Sequence, residues 1–423
     1  MTDTTSDRWV SAAHRPMGFY EFVVLIAAIM ALNPLAMDMM LPALPQIGAA
    51  FRVTEANHVQ TVLSSFLVGF GVGQFVLGPL SDRFGRRPVL VGGLLLYGLA
   101  SVLTLVAPSF ETLLLARALQ GMSTAATRVI ATSVVRDCYA GRRMASVMSL
   151  AQMIFVSVPI LAPSLGQLVL FYSHEWHSVF AVLLFYGVLI LAWSAWRLPE
   201  TLDEARRMSL RPADVLGYYR ETLTTRQTLG YAIAAGCIIG TMFAYVFSSQ
   251  QVFTEIYGLG VYFPLAFAAI AIGVALAGFV NARFVVRIGM RIISHGALCA
   301  FMASSLAMAI VARLDALPLW LFMALATVNL FSFGLMISNF TALAMEPLGH
   351  IAGTASSLFG TITTLVGIVF GSTIGQAYDG TMVPLTTGFL VCALVAFLTV
   401  LVTEKGRLFK PRNLPVAKAA PRA

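Results

Sequence analysis

The sequence predicts an all-α membrane protein of twelve transmembrane helices, and three observations carry that prediction. First, 58% of the 423 residues are hydrophobic and only 11% are charged, whereas a soluble chain carries about 25% charged residues. No soluble core hides that much apolar surface, so the surrounding solvent must be lipid. Second, apolar runs of about 20 residues recur near 19–44, 57–79, 88–107, 110–135, 144–171, 178–198, 227–253, 261–282, 290–312, 318–343, 351–377 and 384–403. Third, 23 of the 27 Lys and Arg fall in the two tails and the even-numbered connections or, as Arg197 and Arg291, within two residues of such a connection. Only Arg52 and Arg313 lie in odd connections, and only Arg117 and Arg128 lie deep inside a span. This asymmetry predicts that both termini are cytoplasmic, which requires an even number of spans. It also removes nucleic acid as a partner, since a formal charge of +8 would then be gathered on one soluble face.

These runs divide the chain into a cytoplasmic N-terminal tail (1–18), a six-helix half (19–198), a cytoplasmic linker (199–226), a second six-helix half (227–403) and a basic tail (404–423). The first run is too long for a signal-peptide core and carries Asn33, Pro34 and Asp38, so no cleavable leader is expected. Asp38 is the only acid well inside any span. A carboxylate near the bilayer centre costs about 2.5–3.5 kcal/mol and is usually kept for function. The competing reading is a structural acid near the outer interface, because Pro42 follows four residues later.

The second and third spans are joined by Gly78 to Leu90, GPLSDRFGRRPVL. This stretch reads as a tight basic loop, with Gly78 and Gly85 at its turns and Arg83, Arg86 and Arg87 holding it on the cytoplasmic side. The fourth span carries Arg117, Gln120, Thr124 and Arg128 at helical spacing, a polar stripe on an apolar helix. An intramembrane arginine faces protein or a water-filled cavity. Arg128 either lines the lower cavity or reaches back to the inner surface. The fifth span holds Pro159, Pro163 and Gly166, which loosen a helix that must bend. In the second half, Gly278 to Arg283 with Gly289 and Arg291 reads as a weaker copy of the first loop, in which Asn281 stands where an acid is expected. Gly353, Gly360, Gly367, Gly371 and Gly375 form a small-residue stripe on the eleventh span. Phe247, Gln250, Gln251, Asn329 and Asn339, with Asn33, Met37, Gln120 and Thr124 from the first half, are the expected walls of a central substrate cavity.

The Gly78–Arg87 run resembles the signature loop of the major facilitator superfamily. Arg117 to Gly121 is similar to that family's second signature, which is associated with proton coupling. The run Asp38 to Pro45, the signature loop and Ala352 to Ser357 together resemble the Bcr/CflA drug-resistance group of twelve-span drug:proton antiporters. The helix 5 run departs from the drug-exporter pattern, having Ala162-Pro163 and Gly166-Gln167 where Gly-Pro and Gly-Gly are usual. The resemblance implies two pseudo-symmetric six-helix halves that rock about a central cavity, with helices 2, 5, 8 and 11 meeting between them. It implies a latch in which Asp82 pairs with Arg136, and proton coupling through Asp38 and Arg117. It also implies proton-driven export of small amphipathic compounds, cationic or neutral, that compete with the proton for one charge site. Such a carrier works in a bacterial inner membrane as a monomer, with no cofactor beyond the proton gradient. A metabolite carrier of the same fold is the alternative.

Other classes find no support. A phosphate loop needs Gly-Lys-[Ser/Thr], and none of Lys405, Lys410 and Lys418 follows a glycine. No catalytic cluster of His, Cys or acid lies within the spans. His174 and His177 read as ordinary loop residues rather than a metal site. Cys138, Cys237, Cys299 and Cys392 are scattered singly and read as packing residues.

Overall fold

The computed structural model describes residues 17–139, 141–204, 212–314 and 317–410, without the side chains of 56, 141–146, 148–157, 212–215, 349–350 and 352–354. The N-terminal arginines Arg8 and Arg15, the linker residues Arg206, Arg207 and Arg211, and the side chain positions around Gly353 lie outside the described residues. Everything regular among the described residues is helical. The elements are α1 (Phe19–Asp38), α2 (Leu44–Ala50), α3 (Ala56–Val59), α4 (Thr61–Phe84), α5 (Arg86–Leu105), α6 (Phe110–Cys138), α7 (Gly141–Ser173) and α8 (His177–Arg197), followed by α9 (Pro212–Thr224), α10 (Arg226–Gln251), α11 (Phe263–Ile288), α12 (Met290–Arg313), α13 (Leu319–Met345), α14 (Ala352–Gln376) and α15 (Val383–Thr403). Ten segments among the described residues are long and apolar enough to cross a membrane. The two other long helices are α6, whose hydropathy is lowered by Glu111, Arg117, Arg128, Arg136 and Asp137, and α7, whose described side chains include the apolar stretch Val158–Ser173.

Within the first six long helices, α6 packs on α4 and α5, α1 packs on α7, and α5 packs on α8. Within the last six, α10 packs on α14 and α15, and α13 packs on α11 and α12. The two groups meet through α4 against α14 and α7 against α11, the helix pairs that the resemblance implied. Small residues make these contacts close. A methyl group at Gly69 or Gly73 would run into the backbone carbonyl of Ala118 or Met122, so α4 and α6 touch backbone to backbone.

The hairpin between α4 and α5 differs from the expected loop. Helix α4 continues through Pro79 to Phe84, and α5 begins at Arg86. Gly85 alone makes the turn, at φ 102° and ψ 159°, a conformation that L side chains rarely adopt. Gly78 is not at a turn. It lies inside α4, where an added Cβ would sit 2.9 Å from Ser357 Oγ of α14, so its smallness serves the contact between the two groups. Gly289 turns α11 into α12 at φ 95° and ψ 147°. The matching geometry supports reading the second half as a copy of the first.

The glycines of α14 do not share one partner. Gly367 and Gly371 rest on Ile239 and Phe243 of α10, whereas Gly360 and Gly375 rest on Gln74 and Gln60 beside α4. The stripe therefore fills the groove where α4 and α10 both meet α14.

Candidate functional site

Asp38 is the last residue of α1, and the span does not stop there. Met39 and Met40 make a turn, Leu41–Ala43 forms a 3₁₀ turn, and helix resumes to Ala50. Roughly 18 Å of helix-length chain follows Asp38 to Ala50, within one apolar segment, Phe19–Ala50. The carboxyl is buried, with 4% of the residue exposed. No hydrogen bond or ion pair reaches it among the described residues. The break beside it is gripped by α7. A Cβ on Gly166 would collide with the Met39 carbonyl oxygen and lie 3.2 Å from Pro42 Cγ. The Pro159–Gly166 helix and the Asp38 turn are thus one contact. Pro163 is buried and Pro159 half-buried, and α7 runs through both without a break in its assignment.

Arg117 does not pair with Asp38. It is fully buried in α6 and donates to the Ala36 carbonyl (3.0 Å), Gln120 Oε1 (2.8 Å) and the Val62 carbonyl (3.4 Å). Its guanidinium also lies 4.4 Å from the Phe66 ring centroid, a favourable placement for a desolvated cation. Through Ala36 it holds the last turn of α1, two residues before Asp38. Gln120, expected in the cavity wall, instead bridges Arg117 to Ser101 on α5 (2.7 Å). Its amide satisfies groups inside the first bundle, as a buried amide must. Asn33 donates to Thr124 Oγ1 (3.2 Å), tying α1 to α6, and Met37 is buried beside Asp38.

Of the expected residues from the second half, Phe247, Gln250 and Gln251 line one cavity of about 240 Å³ with Leu44, Val59 and Gln60. This cavity lies at the end of the molecule opposite Gly85, between the two helix groups. A net of neutral amides closes its edge. Gln60 Nε2 donates to Gln251 Oε1, and Gln251 Nε2 donates to Asn57 Oδ1 at 3.0 Å. Asn57 Nδ2 in turn donates to the carbonyls of Gln376 (3.0 Å) and Tyr378 (2.7 Å). Asn329 and Asn339 are not cavity residues. Asn329 accepts from Ser304 and donates to Ser305 on α12 (3.3 Å), and Asn339 donates to Asn281 on α11 (2.7 Å). Each turns into its own bundle, where a neighbouring helix offers a polar partner.

The expected pairing of Asp82 with Arg136 gives way to a different cluster. Asp82 Oδ1 accepts from Arg86 Nη1, and Arg86 Nε reaches Asp137 Oδ2 at 2.9 Å. Arg136 is exposed on the other side of the helix end; its neighbour Asp137 faces the hairpin. Glu200, which the sequence reading left without a role, caps α5. It accepts from the backbone N–H of Arg86 (2.9 Å) and Arg87 (3.2 Å). Arg87 also binds the Ala195 carbonyl, and Arg83 lies over Phe84. The linker helix α9 covers this corner, with Tyr219 packed on Phe75. Burial and the nearby Asp82 carboxylate raise the Tyr219 hydroxyl above its ordinary pKa.

A second charged cluster, also unforeseen, occupies the same end of the other helix group. Arg291 Nε reaches Glu404 Oε1 (3.1 Å) and its Nη2 reaches Glu346 Oε2 (3.1 Å). Tyr231 donates to Glu404 (2.8 Å) and lies 3.2 Å from His295 Nε2. The only sequence signal for it was Gly289 with Arg291.

This fold and these hairpins define a membrane transporter, and comparison with known proteins gives the family. Residues 26–372 match the Major Facilitator Superfamily model, and the chain belongs to that superfamily, which comprises transporters rather than enzymes. It is 30% identical over 399 residues to the uncharacterized MFS-type transporter YdgK of Bacillus subtilis, covering 93% of this chain and 98% of that one. It is 29% identical to a bicyclomycin resistance protein homolog of Haemophilus influenzae, covering 90% and 95%. It is 32% identical to a chloramphenicol resistance protein of Pseudomonas aeruginosa, covering 83% and 82%. Among solved structures, the xylose transporter XylE of E. coli superposes with a TM-score of 0.69 at 12% identity, covering 91% of this chain and 97% of that one.

Proposed function

We propose that the protein is a proton-coupled exporter of small amphipathic compounds, with twelve spans, both termini cytoplasmic, in a bacterial inner membrane. The observation that carries the reading is Asp38, a buried carboxyl at a break in the first span, with no hydrogen-bond or ion-pair partner among the described residues. A charge buried without a partner is far costlier than the neutral acid. Proton occupancy of Asp38 is therefore tied to whether its turn is closed off, as here, or open to water. Arg117 acts as a positioning residue: it holds the Ala36 carbonyl and so the end of α1. Gly166 lets α7 ride on the Met39–Pro42 turn, so a bend in α7 at Pro159 or Pro163 reaches the proton site directly. The names of the relatives, resistance proteins for bicyclomycin and chloramphenicol, favour export of foreign compounds over uptake of a nutrient.

The amide net of Asn57, Gln60 and Gln251 closes the outer end, and the Asp82–Arg86–Asp137 cluster is the inner latch. Two six-helix halves, 19–198 and 227–403, joined by 199–226, rock between these ends. The membrane potential supplies about 2.3 kcal/mol per charge per 100 mV for the inward proton.

The test uses everted membrane vesicles acidified by respiration. Adding chloramphenicol or a lipophilic cation should alkalinise the lumen with the wild type, and Asp38→Asn should abolish the response. A response of full size in Asp38→Asn contradicts the coupling assignment.

A further inference from the structure

The lipid-facing surface of the first helix group is not smooth. Exposed apolar side chains mark it, Leu161, Leu165 and Leu168 on α7 and Val182, Phe185 and Leu189 on α8, each set at helical spacing. Between these two ridges α1 forms the floor of a groove of about 300 Å³. Small residues give it depth, since Ala27, Ala28 and Ala31 are the floor. Leu161 and Leu165 form one wall, and Tyr186 forms the other. The Tyr186 hydroxyl is already used, because it donates to the Ala28 carbonyl at 2.8 Å. The rest of the described lining is apolar, so an apolar occupant fits it and a polar one does not.

Landmarks fix both ends of the groove. Its lower end is Val24, about one turn above the Arg197–Glu21 ion pair (2.7 Å). Tyr20 and Trp196 are exposed beside that pair, and aromatic and charged residues of this kind stand at a head-group level. Gly85 lies at the same end of the molecule, since Arg87 reaches the Ala195 carbonyl. The upper end is Leu35, about 21 Å of helix from Glu21. One leaflet contributes about 15 Å of hydrocarbon, half of a 30 Å core. The groove thus runs through the leaflet at the Gly85 end and stops near the bilayer middle. There it meets the Asp38 turn. Met39 N–H donates to the Leu35 carbonyl at 3.1 Å, and Leu165 precedes Gly166, which rests on the Met39 carbonyl.

We propose that this groove binds one acyl chain of a phospholipid from the leaflet at the Gly85 end, and that the chain braces α1 against α7 below the Asp38 turn. Lipid tails surround this surface, and a void left among three helices forfeits the dispersion contacts of its lining. The bound chain touches Leu35 and Leu165, one on each side of the contact between Met39 and Gly166. The site is separate from the cavity lined by Gln60 and Gln251 and uses none of the charges of the proton mechanism. It holds its chain whether or not Asp38 exchanges a proton.

The test is native mass spectrometry of the full-length protein, delipidated in detergent and titrated with dioleoyl-phosphatidylethanolamine. The first lipid should bind the wild type about tenfold tighter than later ones. Dihexanoyl-phosphatidylethanolamine has the same head group on short chains and should not displace it, and chloramphenicol should not displace it either. Neither arm needs a variant. Ala31→Leu, which fills the groove from its floor, should lose the preference for a first lipid, whereas Leu99→Phe, on the exposed face of α5, should keep it. The dioleoyl lipid should also raise the thermal midpoint of the wild type more than that of Ala31→Leu. Equal affinity for all lipids, displacement by the short-chain lipid, or a preference that survives in Ala31→Leu would each overturn the proposal. Displacement by chloramphenicol would make the groove a cargo slot and overturn it as well. Equal midpoint shifts in wild type and Ala31→Leu would contradict the brace.

Discussion

The two helix groups share a hairpin and differ in where they keep their charge. Gly85 and Gly289 adopt nearly the same φ and ψ, and each is followed by an arginine held by two carboxylates, Arg86 and Arg291. In the first group both carboxylates are partly accessible: the Asp82 side chain is 28% exposed, at a corner where Gly78 meets α14, and Asp137 is 16% exposed. In the second, Glu346 is 22% exposed, but Glu404 is only 2% exposed and is further tied to Tyr231. The middles differ in the same sense. The first group holds Asp38, Arg117 and Arg128, while Asn329 and the serines of α12 make a neutral network in the second. The comparison teaches that one turn geometry can carry a half-solvated charge cluster in one half and a more deeply tied one in the other. On the proposed mechanism the first is the latch that opens, the second an anchor, and the charges that change partner or protonation belong to the first half.

Mutations can break this contrast. The largest effect on stability is expected from Glu404→Ala, which strips a buried guanidinium of one of its two carboxylates and should cost about 3 kcal/mol, read as a lowered thermal midpoint in detergent. A midpoint like that of the wild type would contradict the anchor. Gln251→Ala removes two of the hydrogen bonds that join the groups at the outer end. It should shift the closed state by about 1 kcal/mol, so that labelling of Ala49→Cys by an impermeant maleimide rises about fivefold. An unchanged labelling rate would mean that the amide net does not hold that end. Asp82→Asn should alter stability by less than about 1 kcal/mol, since the pair is partly solvated and Arg86 keeps Asp137. It should nonetheless raise cytoplasmic-side accessibility and lower transport. A large loss of stability in Asp82→Asn would make the two clusters equivalent and erase the contrast.

Most helix positions were legible in the sequence because a lipid solvent demands long apolar runs, and the charge bias sets their order. The exceptions are instructive. The first span was cut short at Leu44 because Pro42 and Pro45 read as an ending, yet both sit at or near the start of short helices, where a missing N–H costs nothing. The second span was ended near Gly78, but neither Gly78 nor Pro79 breaks α4. Among the site residues, Asp38 and Arg117 could be singled out because a charge in a span is conspicuous. The partners could not. Whether Asn339 turns to the cavity or to Asn281, and whether Asp82 meets Arg136 or Arg86, depends on helix rotation by a fraction of a turn, and one-dimensional spacing does not encode that. Gln60 and Gln251 meet across the two halves, 191 residues apart, and no local pattern announces such a pair.

The central claim is that Asp38 exchanges the proton. The most direct measurement is lumenal pH in respiring everted vesicles, on adding a compound that the wild type exports, compared between wild type and Asp38→Asn at matched expression. The account predicts alkalinisation in the wild type and none in Asp38→Asn, with the compound still bound by the variant. Alkalinisation of equal size in both would place the proton elsewhere and leave the buried carboxyl of Asp38 a structural residue.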